Sequence, residues 1–268
     1  MNANPANQEQ TTTPPQRTPP PPPPCGAGTN RPPRPRCDER RARFGGGYGP
    51  FPQPVTAVSA VDALLKLPGR LTFEIVQGKA ARTVFTLLGI AAFCLLLYGF
   101  VMGSFSGGGQ LWLAPAKVLS GALASAVICL PSLYILTSLA GGTQSLSQTT
   151  GLLLQALALN SMLLLGFAPI AWIFSQATET TVFMGWMHLM IWGVGLGFSL
   201  SMLKNAFGFL NERPMGMAVT FWGAIFFLVL VQMSTTLRPL IGAEDGFFTP
   251  GKKFFLQHWG DCIRHPKP

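Results

Sequence analysis

Charge is what this chain has least of. Only 11% of its 268 residues are Asp, Glu, Lys or Arg, where soluble domains carry about 25%. The shortage is local: between Arg82 and Lys204 the charged residues are Lys117 and Glu179. Long stretches without charge make poor water-facing surfaces and mark membrane spans. Cysteine is sparse as well. Cys25, Cys37, Cys94, Cys129 and Cys262 are odd in number and show no CxxC spacing, which argues against a disulfide framework and a thiolate zinc site. Cys94 and Cys129 fall in apolar runs and read as small buried hydrophobes. Catalytic patterns are missing too: there is no HExxH, no GxSxG and no pair of carboxylates at the edge of an apolar run. The glycine-rich SGGGQ (106–110) lacks the lysine of a phosphate cradle, and GGGYGP (45–50) sits among prolines. No secretory leader pattern opens the sequence, so the first span is expected to direct targeting.

What is present begins with proline. Fifteen of the 24 prolines lie in residues 1–54, including the run 19–24. Proline fixes φ and removes a donor, so this segment is expected to be a disordered Pro/Arg-rich tail with local polyproline II. RPPRPR (31–36) has the form that an aromatic groove of a proline-reading domain accepts; the plainer reading is a basic, extended spacer near anionic lipid. The net charge of +9 does not point to nucleic acid, because seven of the nineteen basic residues lie in this tail and the others flank apolar runs. Residues 55–81 then change character. Val58, Val61, Leu64 and Leu65 recur at helical spacing, and Asp62 and Lys66 stand four apart in the order that favours an ion pair. After Pro68-Gly69, Leu71, Ile75 and Val76 oppose Glu74 and Lys79. Two short amphipathic helices in the membrane interface fit this pattern.

Five apolar segments follow, at about 83–102, 118–140, 152–174, 181–203 and 217–237. Each has the roughly 20 residues needed to cross ~30 Å of hydrocarbon. The linkers are short, so no soluble domain lies between spans, and no internal repeat is visible. Lys66, Arg70, Lys79 and Arg82 precede the first span, and Lys204 and Arg213 lie in the fourth linker. This places the N-terminus inside by the positive-inside rule, against the opposing Lys117, Arg238, Lys252 and Lys253. QMSTTLRPLIG (232–242) reads as the outer boundary of span five. Arg238 can anchor in the headgroups there, and Pro239 stops the helix. FFTPGKKFFLQHWGDCI (247–263), within an aromatic-basic tail at 241–268, is expected to return to the interface with Trp259 on its apolar stripe.

As bounded here, the spans hold no Asp, Glu, Lys or Arg. Ion-coupled transporters usually carry such a group on their pathway. The one ionisable candidate is His188, with Met184, Met187 and Met190 around it. Thioethers and an imidazole suit Cu(I); a packing histidine bonded to a neighbouring helix is the plainer reading. Gln155, Asn160 and Ser161 in span three read as polar glue between helices. Gly193, Gly197 and Ser201 form a small-residue stripe suited to close helix packing, either within the bundle or between copies. Pro131 and Pro169 fall inside spans two and three.

LPSLYILTSLAG (130–141), LLLGFAPIAWIF (163–174) and QMSTTLRPLIG (232–242) together resemble an uncharacterised family of bacterial polytopic inner-membrane proteins over about residues 60–260. Such proteins are sometimes labelled actin-binding WH2 domain-containing proteins. FEIVQGK (73–79) is similar to a WH2 helix, but no LKKT-like segment follows it. The plan also resembles the Yip1 family: a proline-rich tail, five spans and a short far-side tail. Those resemblances imply an inner-membrane location and a role exercised through partners. The expectation is therefore an all-α membrane protein, a five-transmembrane-helix bundle with a disordered tail and short amphipathic flanking helices. Its expected role is non-enzymatic, organising membrane or recruiting partners; the alternative is a permease or channel for a small neutral solute. The expected partners are the lipid bilayer, a cytoplasmic protein that reads the tail, and a second copy of the chain. No cofactor is expected. In sealed cells an impermeant thiol reagent should label Cys262 and spare Cys25 and Cys37; labelling of all three would break the five-span topology.

Overall fold

The computed structural model describes residues 56–77, 80–106, 110–178, 181–211 and 215–236, without the side chains at a few helix ends. The expectations for 1–54, Glu179, Arg238, Trp259, Cys262 and 241–268 lie outside the described residues. Seven helices are described: α1 (Ala57–Lys66), α2 (Pro68–Val76), α3 (Ala80–Ser106), α4 (Gln110–Leu139), α5 (Leu146–Ala177), α6 (Thr181–Leu210) and α7 (Gly216–Thr236). No strand is present among the described residues. Helices α3 to α7 are each long and apolar enough to cross a membrane.

The short pair α1 and α2 forms as its residues dictate. Thr56 caps α1 in a reciprocal box with Ser59, the Thr56 amide donating to Ser59 Oγ at 2.9 Å and the Ser59 amide to Thr56 Oγ1 at 3.3 Å. Lys66 and Asp62 make the anticipated ion pair at 2.6 Å. Pro68 ends nothing within a helix; it opens α2, where its missing N–H costs no bond. The inward face differs from the expected stripe. Ala60, Ala63 and Leu64 are buried, with Leu71 and Ile75 from α2, while Val58 and Leu65 face outward. Leu64 and Leu65 stand about 100° apart on the helix and only Leu64 turns inward, and the small alanines let α1 lie close to the bundle.

The spans run longer than their apolar cores suggested, and the largest difference is at α4. It begins at Gln110 and runs through Pro115 and Lys117. Lys117 is therefore inside a span and buried, 1% exposed, which corrects the expectation of spans free of charge. Pro115 stands only in the second turn, so its ring disturbs the ladder near an end that is already short of partners. Its backbone also meets Gly99 of α3 where no side chain could fit.

The five long helices pack as a ring in the order α3, α5, α6, α7, α4 and back to α3, with α4 and α5 also touching across it. The α1–α2 pair packs on α3 and α5, with α2 also reaching α6. One core runs through all seven helices; Leu95, Leu133, Leu152, Leu164, Phe207 and Trp222 are among its most buried side chains. Cys94 and Cys129 are free thiols within it. Gly99→Ala should overlap the Pro115 backbone and lower stability by about 1–3 kcal/mol. Gly89→Ala, with open space around it, should be neutral or mildly stabilising. Thermal unfolding in detergent compares the two.

Candidate functional site

Polar side chains in an apolar bundle show where helices are held, and here they gather in three places. The first is the end of the ring that carries α1 and α2. Gln155 of α5 donates through Nε2 to the Pro68 carbonyl at 2.8 Å and accepts at Oε1 from Thr72 Oγ1 at 3.2 Å. Gln148 accepts from the Ser145 amide at 2.9 Å, within the box that starts α5, and donates to the Val76 carbonyl at 3.1 Å. One glutamine thus serves the start of one helix and the end of another. Both ends of α2 are tied to α5 by side chains, and the Val76 carbonyl so answered is one of those a helix C-terminus leaves without an intrahelical partner.

At the same end, Asn211 clasps the two connections between spans. Its Oδ1 accepts from the Thr143 amide at 3.1 Å; its Nδ2 donates to the Phe207 carbonyl at 3.0 Å and lies 3.3 Å from Gln144 Oε1. Gln144 in turn donates to Thr137 Oγ1 at 2.6 Å. The α4–α5 turn and the end of α6 are fixed to each other.

The second place is near the opposite end. Tyr98 of α3, fully buried, meets His188 of α6 with its hydroxyl 2.6 Å from Nδ1. The rings stand at 88°, and Trp192 packs edge-on against the same phenol. His188 Nε2 is buried with no hydrogen-bond partner. Met184 is buried and Met187 partly so, while Met190 is 64% exposed and points away. Among the described residues no three of His, Cys, Asp or Glu converge as metal ligands.

The third place is in the ring interior. Asn160 of α5 lies under Gly195 of α6, where an added Cβ would fall 2.5 Å from Asn160 Oδ1. The close approach on α6 is therefore made at Gly195. Gly193 and Gly197 open outward with nothing near them, and Ser201 is exposed and bonds back to the Gly197 carbonyl at 2.9 Å. That stripe is not packing inside the bundle. Ser161, expected as glue, bonds its own helix at the Ala158 carbonyl. Trp222 of α7 donates from Nε1 to the Cys129 carbonyl of α4 at 2.9 Å and stacks on Phe226, closing the last seam of the ring.

Sequence reasoning singled out Gln155, Asn160 and His188 but missed Tyr98, Asn211 and Trp222. Asn211 lies in a linker and looked like loop polarity. Tyr98 offered one signal, a phenol deep in an apolar run, where a buried hydroxyl needs a partner.

No family model matches the chain, and no curated protein or solved structure matches it. Its class rests on the helices themselves: five apolar helices of spanning length, consistent with a multi-pass integral membrane protein. Gln155→Leu would remove both side-chain ties from α5 to α2, leaving the Thr72 hydroxyl and the Pro68 carbonyl bonded only to their own helix, and Asn211→Leu would take away the side-chain acceptor of the Thr143 amide. Each should cost about 1–2 kcal/mol. Gln155→Leu should also speed proteolysis around residues 56–77, which Asn211→Leu should affect less.

Proposed function

We propose that this chain is a non-enzymatic membrane organiser that recruits a cytoplasmic partner through its N-terminal segment. The observation that carries this reading is the fastening of α1 and α2. Gln155 and Gln148 tie both ends of α2 to α5, and the pair shares the core of the bundle. The proline-rich segment joins the chain at Thr56, the cap of α1, and so starts from a firmly held seat. A seat of this kind suits a tail that presents motifs such as RPPRPR (31–36) to another protein. The likeness to bacterial inner-membrane proteins and to the Yip1 plan supports the same reading. So do the basic residues Lys66, Arg70, Arg82 and Lys204, which fall at the α1–α2 end of the ring and favour that end as the cytoplasmic one.

A permease for a small solute is the second reading. Buried Lys117 and the unpartnered Nε2 of His188 favour it, because polar groups inside a bundle often line a path. The two separate by purification in mild detergent of the full chain and of a chain lacking residues 1–54. Under the recruiting reading a specific protein co-purifies with the first and not with the second. Recovery of a homo-oligomer alone from both would overturn it. Loss of cellular function on His188→Ala or Asn160→Ala, with the tail deletion silent, would favour transport.

A further inference from the structure

Between α5, α6 and α7 lies a small cavity of about 20 Å³. Its wall is almost wholly apolar, with Leu157, Leu196, Leu203, Trp222 and Phe226 among the lining residues. Two side chains break that pattern, Asn160 from α5 and Ser199 from α6. They are 3% and 2% exposed, and neither Asn160 Oδ1 nor Ser199 Oγ has a hydrogen-bond partner. We propose that Asn160 and Ser199 form a binding site for one water molecule, which bridges α5 and α6 inside the bundle.

Four observations converge on this. The volume is right: a space of more than about 10–15 Å³ holds one water, and the water needs at least two polar partners. The chemistry is complementary. Asn160 Oδ1 only accepts, so a water donates to it, and Ser199 Oγ either accepts the second proton or donates to the water oxygen. The serine behaves unlike its fellows. Ser125, Ser161 and Ser201 each return the hydroxyl to a carbonyl of their own helix, at 2.8, 2.8 and 2.9 Å, whereas Ser199 does not. Finally, no other group in the wall competes. The Trp222 indole N–H is committed to the Cys129 carbonyl. An unsatisfied amide and hydroxyl at this depth in a bilayer would each be costly, and one shared water relieves both. Gly195 explains why the pair can share it. Gly195 and Ser199 lie one turn apart on α6; Asn160 fits under the first, and Asn160 and Ser199 both line the cavity.

The test is a structure of the full chain in lipid nanodiscs, bound to an antibody fragment and resolved well enough to show waters. The expected result is a single peak within hydrogen-bond distance of both Asn160 and Ser199. An empty cavity, with Ser199 turned to its own helix or bonded directly to Asn160, overturns the proposal. Ser199→Val places methyl groups in the space and should abolish the peak; a peak that persists in this variant overturns the proposal too. Thermal unfolding adds an independent readout. If one water joins the two groups, Asn160→Leu and Ser199→Ala each lower Tm, and the double variant melts no lower than the worse single. Fully additive Tm losses would mean the two side chains share nothing.

Discussion

A polar group inside a bilayer has no solvent to turn to, so each must be answered by another part of the protein. That constraint arranges most of this molecule. The side-chain N–H of Gln155 is answered by the Pro68 carbonyl, the Val76 carbonyl by Gln148, and the indole N–H of Trp222 by the Cys129 carbonyl. None of these bonds is worth much alone, since interhelical hydrogen bonds in membranes contribute about 0.6 kcal/mol on average. Their weight lies in the alternative. A partner removed leaves a buried group with nothing to bond, and that penalty selects one arrangement of helices over its neighbours.

Between those polar ties the bundle relies on contact. Lipid chains are as apolar as leucine, so helices gain by approaching each other closely rather than by leaving water. Gly99 admits the backbone of Pro115, and Gly195 admits the side chain of Asn160. The aromatic cluster of Tyr98, His188 and Trp192 does the same for α3 and α6 with bulk instead of its lack. A closely packed frame follows, and the proposed recruiting role asks for one as the seat of the N-terminal segment.

The existence and number of the spans were legible in the sequence, because long runs without charge have few other uses. The two amphipathic helices were legible from periodicity and from the Asp62–Lys66 spacing. Helix ends were not. Pro115 and Lys117 look like stops, yet α4 passes through both, since a proline near a helix start costs little and Gly99 gives its ring room. Site partners were harder still. Gln155 meets Pro68 and Tyr98 meets His188 across long separations in the chain. Which helix neighbours which is decided by packing, and periodicity carries no record of it. The glycine stripe shows the limit: Gly193, Gly197 and Gly195 are alike in sequence, and only one of them faces a neighbour.

The circular order of the helices also sets an order of events. A chain made from its N-terminus presents α3, α4, α5 and α6 before α7 exists. At that stage the seam of α4 that holds the Cys129 carbonyl lies open, and so does the flank of α6. Among the described helices α7 covers both, with Trp222 set against the Cys129 carbonyl. Until it is in place the four earlier helices leave the ring open between α4 and α6. The closing tryptophan would therefore mark the end of assembly as well as stabilise its product.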